Sequence, residues 1–345
     1  MKKIGFVFEA NYNIGGGHFW RCFNLAKILK KRNRVFYFIS KNLNKSFINI
    51  LKKENFNYLN INSLKKISYI KDIVKKKKIE ILISDYYHLD IKMKKEIKKT
   101  INTLIVIDDF SHKRHNCDVY INNNFMSKAT RSKIKKLNPD TKLFLGSNYF
   151  VHSKKIFFHQ KKNLNSKIKK IFVFFGSSDP SNETIKFINA IENFNKIEFY
   201  ILVGKINKNY ERIKKITINK KNIKIFHNLT NLETLKLMKN KDFSFGAGGI
   251  NLFERLFQGL PSAVICNAEN QKSGLIELKK RNVIHFLGYK NKISKTSIKN
   301  FLKNLISKPK IINKLRKNTF KYFGNKKNSN LLEYELNKII NRNVI

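Results

Sequence analysis

Cysteine is scarce in this chain, carboxylates are outnumbered, and no long apolar run interrupts it. The 345 residues hold three cysteines, Cys22, Cys117 and Cys266, far apart and without a CxxC pair. That spacing argues against a disulfide framework or a zinc ribbon, and a reducing cytoplasm is the expected setting. No segment approaches the ~20 consecutive apolar residues of a membrane-spanning helix. The opening MKKIGFVFEANYN starts like a signal peptide but meets Glu9 after Ile4–Phe8, too short for an apolar h-region. No D-x-D triplet occurs, so a metal-bridged diphosphate is not favoured. No GK[ST] step follows any glycine run, so there is no P-loop.

Acidic residues number 23 against 72 basic ones, a net charge of +49. Only ten of the 72 are arginine, and the lysines run along the whole chain beside abundant Asn and Ile. This is the mark of AT-rich coding at solvated positions rather than of a nucleic-acid face, although a general attraction for anions follows. An RNA-binding protein would gather cations and stacking aromatics on one surface. Here most of the 29 phenylalanines fall in apolar runs that form core. With 42% hydrophobic residues, the chain is globular and long enough for two domains.

Short β-branched and aromatic runs alternate with longer amphipathic ones. Strands are expected at Ile4–Phe8, Val35–Ile39, Ile79–Ser84, Leu104–Ile107, Ile171–Phe175, Ile197–Val203, Ile223–Phe226, Phe243–Phe245 and Ser262–Ile265. Helical spacing falls between them, as in Phe19–Lys30, Ile91–Lys99, Glu183–Ile191, Asn231–Met238, Ile250–Gln258 and Gln271–Lys280. The alternation predicts an α/β fold with parallel sheets. The pattern breaks over about 122–170, which is expected to end one domain and link it to the next. The expected division is 1–150, 165–320 and a helical tail over 321–345.

In open α/β sheets ligands bind at the carboxyl ends of strands. Behind the first strand comes NIGGGHFWR, with Gly15-Gly16-Gly17, His18 and Arg21; it is either a tight turn or an anion cradle on a helix start. It lacks the third glycine of a dinucleotide fingerprint. Asp85 ends ILISD and either caps the next helix or orients His18 or Arg21. Asp108-Asp109 fits a turn, a metal site or acid–base work, the turn being the default. In the second half, Gly176-Ser177-Ser178 follows one strand and Gly246-Ala247-Gly248-Gly249 another, the latter with Glu254 one turn inside the helix. Glu254 lies either on a solvated face or beside a bound nucleotide, where it would take the ribose hydroxyls.

Two glycine loops, one in each half, make the sequence similar to the GT-B superfamily of nucleotide-sugar enzymes. It most resembles the UDP-2,4-diacetamido-2,4,6-trideoxy-β-L-altropyranose hydrolases of pseudaminic acid biosynthesis. These in turn resemble the UDP-dependent N-acetylglucosaminyltransferase of peptidoglycan synthesis. The residues that carry this are Gly15-Gly16-Gly17-His18-x-x-Arg21, Asp85-x-Tyr87, Asp108-Asp109-Phe110, Gly176-Ser177-Ser178-Asp179-Pro180, Ala247-Gly248-Gly249, Glu254, Gly259-Leu260-Pro261 and Asn270-Gln271. Ser177 stands where a second glycine is usual, and Ile250-Asn251 where small hydroxyl residues are common. The resemblance implies two Rossmann-like domains facing a cleft, and hydrolysis of a UDP-linked diacetamido-trideoxy sugar with inversion. It implies His18 as general base, with Gly16, Gly17, Arg21, Asp85, Tyr87, Gly176, Ser177, Ala247, Gly248, Gly249, Glu254, Asn270 and Gln271 binding substrate. The amides of Gly248 and Gly249 would hold the diphosphate, Glu254 the ribose, and Tyr87 and Asn270 the sugar. No metal or other cofactor, no specific nucleic acid and a monomeric state are expected. A glycosyltransferase using a UDP-sugar donor is the alternative.

Overall fold

The structure, a computed structural model, describes residues 1–151, 167–324 and 331–342. Among them, thirteen strands form two sheets. The first sheet holds β1 (Lys2–Phe8), β2 (Arg34–Ser40), β3 (Asn57–Asn60), β4 (Ile81–Asp85), β5 (Thr103–Ile107), β6 (Val119–Asn122) and β7 (Lys142–Leu145). The second holds β8 (Lys170–Phe174), β9 (Glu198–Val203), β10 (Ile223–His227), β11 (Phe243–Ala247), β12 (Ser262–Cys266) and β13 (Ile284–Tyr289). The orders are β3-β2-β1-β4-β5-β6-β7 and β10-β9-β8-β11-β12-β13, and the ladders of both sheets are parallel. Each order reverses once, between β1 and β4 and between β8 and β11. Those two reversals are where a doubly wound sheet opens a crevice at its carboxyl end.

The central strands GFVF, ILISD and FSFGA are almost fully buried, as a parallel sheet covered on both faces requires. One face of the first sheet packs Val7, Ile39, Leu82, Leu104 and Val106 with the flanking helices. Aromatic rings, including a stacked Phe19–Phe47 pair 4.3 Å apart, lie around its opposite side. In the second sheet Ile171, Val173, Phe199, Phe243, Phe245 and Ala263 form the equivalent layer. Among the described residues no helix is long and apolar enough to cross a membrane.

All nine expected strands are present, but four others are not visible in the sequence pattern. Three of these, β3, β7 and β13, are edge strands. NYLN and KLFL carry polar or half-exposed residues because an edge strand faces solvent along one side. The fourth is β6, four buried residues that end where the polar stretch expected to be a link begins. That stretch contains a helix, Lys128–Leu137, burying only Ile134. The rest of the expected link, 152–166, lies outside the described residues.

The chain divides into two compact units, Met1–Val151 with Asn328–Ile345, and His152–Lys327. The expected tail is thus split. Residues 320–324 continue the helices of the second unit, whereas the Leu331–Arg342 helix packs on the first. It buries Leu332, Leu336 and Ile340, and its Asn337 and Asn341 accept hydrogen bonds from Arg34 at 2.7 and 2.9 Å. The only tryptophan of the chain, Trp20, lies in the Gly17–Leu29 helix, which the returning helix contacts. Leu336→Ala is therefore expected to destabilise the first unit by about 2–5 kcal/mol, read as an earlier urea midpoint in Trp20 fluorescence. An unchanged midpoint would show that this helix adds nothing to that unit.

Candidate active site

At the first reversal, three elements bring charged side chains together. β1 ends at Phe8 and runs into a loop in which Asn11 Oδ1 accepts from the amides of Asn13 and Ile14. Gly15 has φ of +83°, a conformation that favours glycine. Gly16 precedes the helix, and at Gly17 an added Cβ would meet nothing within 4 Å. Only one of the three glycines is thus demanded by a left-handed backbone. His18 and Arg21 follow on successive turns of that helix.

Asp85 ends β4 and is fully buried. It does not cap the next helix, a task performed by Asp90 through the Met93 amide at 2.8 Å. Instead Oδ1 lies 2.8 Å from His18 Nδ1, and Oδ2 accepts from Arg21 Nε at 2.7 Å. The other face of the guanidinium goes to Asp109, whose two oxygens accept from NH1 at 2.9 and 3.0 Å. The Tyr87 hydroxyl accepts from Arg21 NH2 at 3.2 Å and donates to Asp109. The Tyr87 ring meets His18 edge-on, with centroids 4.7 Å apart. Arg21 and Asp85, expected to touch substrate, are thus buried behind His18 and engaged with protein groups.

Burial alone would lift the Asp85 carboxyl, but Arg21 and His18 outweigh it and hold it at about 2. An ionised carboxylate only accepts, so its contact with His18 needs the imidazole proton on Nδ1. Nε2 then presents its lone pair, and among the described residues no protein group occupies it. Burial, reinforced by Asp109, raises the Tyr87 phenol well above its ordinary value, so it stays a neutral donor. Arg21 serves two carboxylates, and a proton arriving on His18 would balance the group's charge.

Behind this cluster, His115 is buried with Nδ1 2.9 Å from Lys94 Nζ and its ring against Tyr120. Burial, then Lys94 and Lys113, push it down from 6.5 to about 3.

At the second reversal, β8 runs into Gly176-Ser177-Ser178 and β11 into the Gly246–Gly249 loop. Gly176 has φ of +111°. Asp179 caps the Glu183–Ala190 helix, accepting from the Glu183 and Thr184 amides at 3.0 and 2.9 Å, while burial lifts its carboxyl to about 6. A Cβ on Gly246 would stand 2.1 Å from the Phe174 carbonyl, so near its carboxyl end β11 passes β8 where only glycine fits. The Gly248 amide donates to the Ile265 carbonyl at 3.1 Å and is thereby taken. It is therefore not the free anion donor expected of it. The first bond of the Ile250–Phe257 helix runs from Leu252 to the Gly249 carbonyl, so the amides of Gly249, Ile250 and Asn251 head the helix without intrahelical partners.

Glu254 is buried, not on a solvated face. Its oxygens accept from Asn231 Nδ2 at 2.7 Å and Asn251 Nδ2 at 2.8 Å, and burial raises its carboxyl. Gln271 accepts from the Asn267 amide at 3.0 Å, and its Nε2 lies beside Gly249. Asn270 is partly exposed in the same first turn. The expected residues therefore gather in two groups, one per unit: His18, Arg21, Asp85 and Tyr87 with Gly16 and Gly17, and Gly176, Ser177, Ala247, Gly248, Gly249, Glu254, Asn270 and Gln271. Asp109 joins the first as a partner of Arg21, and Asn231, Asn251 and Arg255 join the second. For Asp109 the signal is its place at a strand end, and for Asn251 its place behind the glycine run; nothing local marks Asn231 and Arg255.

Known proteins share this construction. The solved structure of Phytolacca americana UGT2, complexed with UDP-2fluoro-glucose and pterostilbene, superposes with a TM-score of 0.71 over 99% of both chains at 11% identity. Acinetobacter baumannii MurG does so with a TM-score of 0.64 over 99% of this chain and 100% of its own, also at 11%. This is a GT-B fold. No family model matches the chain. It is 26% identical over 220 residues, 64% of its length and 78% of the relative's, to the UDP-2,4-diacetamido-2,4,6-trideoxy-β-L-altropyranose hydrolase of Campylobacter jejuni. It is 23% identical over 274 residues, 78% of either chain, to the spore coat polysaccharide biosynthesis protein SpsG of Bacillus subtilis. An uncharacterised protein of Methanocaldococcus jannaschii is 26% identical over 290 residues, 78% of this chain, which spans 57% of that relative's length.

His115 and Asp85 are expected to make the first unit lose stability in acid. The unfolded chain takes up a proton on His115 near 6.5 and the fold resists until about 3, so stability falls as pH drops through that window. Asp85 extends the loss from about 4 down to about 2. Urea midpoints from Trp20 fluorescence between pH 7 and 3 are expected to fall, and His115→Gln to flatten the upper part of the curve. An equal slope in that variant would remove His115 as the cause.

Proposed function

We propose that the protein hydrolyses a UDP-linked diacetamido-trideoxy sugar, releasing UDP and the free sugar. The observation that carries the reading is the His18–Asp85 pair at the reversal of the first sheet, with its imidazole nitrogen Nε2 unoccupied among the described residues. Its support is the Campylobacter jejuni relative, whose name states this substrate.

In this reading His18 Nε2 takes the proton of a water as its oxygen attacks the anomeric carbon. The bond from that carbon to the diphosphate breaks, its electron pair leaves with UDP, and the configuration inverts because attack and departure use opposite faces. Asp85 fixes the tautomer and carries the charge of the imidazolium, while Arg21, Asp109 and Tyr87 hold Asp85 in place. They are positioning residues rather than substrate contacts. The second unit holds the nucleotide. The Gly249, Ile250 and Asn251 amides and the helix dipole meet the diphosphate, and stabilise the charge that develops as it leaves. Glu254 takes the ribose hydroxyls in place of one or both asparagine amides, and Gln271 and Asn270 face the sugar.

The same base would serve a glycosyltransferase, with an acceptor hydroxyl in place of water. Purified protein incubated with UDP-linked diacetamido-trideoxy sugars, without acceptor, is expected to release UDP. Substituting His18→Asn should lower turnover at least ~10²-fold, the low end for a positioned base, and Asp85→Asn should act in the same direction. Release only when an acceptor is added would establish transfer; wild-type rates in His18→Asn would dismiss the imidazole as base.

A further inference from the structure

Beneath the glycine loop of the second unit lies a charge that this mechanism does not use. Arg255 is fully buried, one of the largest side chains so enclosed among the described residues. Its NH2 donates to the Ala247 carbonyl at 2.7 Å, NH1 to Ser244 Oγ at 3.3 Å and Nε to the Asn251 carbonyl at 3.4 Å. Ser244 Oγ in turn lies 2.7 Å from Ser262 Oγ, so the polar chain continues into the next strand. Every acceptor of the guanidinium thus belongs to β11, the loop after it or the helix turn that the loop enters. Among the described residues no carboxylate is within ion-pair distance. Glu254, its neighbour in sequence, has both oxygens on asparagine amides.

A guanidinium enclosed with neutral acceptors alone is poorly compensated, and such an ion is costly unless another charge answers it. Burial pulls Arg255 down to about 9, with Glu254 opposing, so it remains a cation at neutral pH. Its bonds also shape the loop. The Ala247 carbonyl is drawn to the guanidinium and the Gly248 amide to Ile265, which leaves the next three amides as the loop's donors.

We propose that Arg255 is a positioning residue for the diphosphate: it pins the glycine loop through Ala247 and supplies under it a positive charge that no ion pair among the described residues answers. The loop's preference for a dianion over a neutral ligand then stems in large part from a side chain that never touches the ligand. This rests on reading the second unit as a nucleoside-diphosphate site.

The test is calorimetric titration of the full chain with UDP, inorganic pyrophosphate and uridine, together with unliganded melting temperatures. It compares wild type with Arg255→Met, Arg255→Gln and Arg255→Lys. The neutral variants are expected to bind UDP and pyrophosphate at least roughly tenfold more weakly, with uridine affinity unchanged. Their unliganded melting temperature should hold or rise, since an unanswered buried charge has gone. Lysine keeps the charge without the planar fork and should recover part of the loss; Gln and Lys decide the matter if Met does not fold. Equal weakening for uridine, or wild-type affinities for UDP and pyrophosphate in the neutral variants, would overturn the proposal and leave the nucleotide reading standing. Pyrophosphate binding that depends on Arg255, without UDP binding, would uphold the charge and overturn the nucleotide reading. A wild type that binds neither anion would overturn both.

Discussion

The first unit is organised around one guanidinium shared by two buried carboxylates. Arg21 reaches Asp85 at the end of β4 and Asp109 just beyond β5, and it does so from the first turns of the helix that follows β1. Three separate connections are therefore tied at a single point. Neither carboxylate would be tolerated there alone, because a buried ion without a partner is strongly destabilising. The arrangement leaves one negative charge in excess, and His18 is the group placed to answer it. The same ion pairs that hold the loops together thus decide what the imidazole can do.

The second unit solves the matching problem with glycine. Its loops must leave adjacent parallel strands at nearly the same height, and there the backbones collide unless a side chain is missing. Gly246 passes the Phe174 carbonyl, and Gly204 passes the backbone of Ser177, each where a Cβ would stand little more than 2 Å away. Close approach of main chain to main chain brings the β8 and β11 loops side by side. Charge plays the secondary part here, through Arg255 below the loop.

How much of this was legible in the sequence follows from where each signal resides. Central strands such as GFVF are continuous apolar runs because both faces are covered, and the sequence pattern shows them directly, whereas β11 runs two residues past the expected Phe243–Phe245 into the glycines. NYLN and KLFL at the sheet edges carry half-exposed polar residues and look like loops. His18, Asp85 and the glycine runs were marked by their places at strand ends, a rule of topology that sequence spacing preserves. What spacing could not give was partnership. Asp85 and Arg21 are 64 residues apart, and Asn231 and Glu254 are 23 apart, so only the fold shows that they bond. The Gly248 amide departs from the expectation for the same reason: its acceptor, Ile265, lies on the neighbouring strand.

The return of Leu331–Arg342 to the first unit has a consequence for how the molecule is made. The second unit is an insertion within the first, so on the ribosome it is complete while the surface formed by Arg34 and its neighbours still lacks its cover. The nascent first unit must wait, partly open, through the synthesis of more than a hundred further residues. Translation order and domain order are therefore opposed: the unit that begins first is the one that closes last.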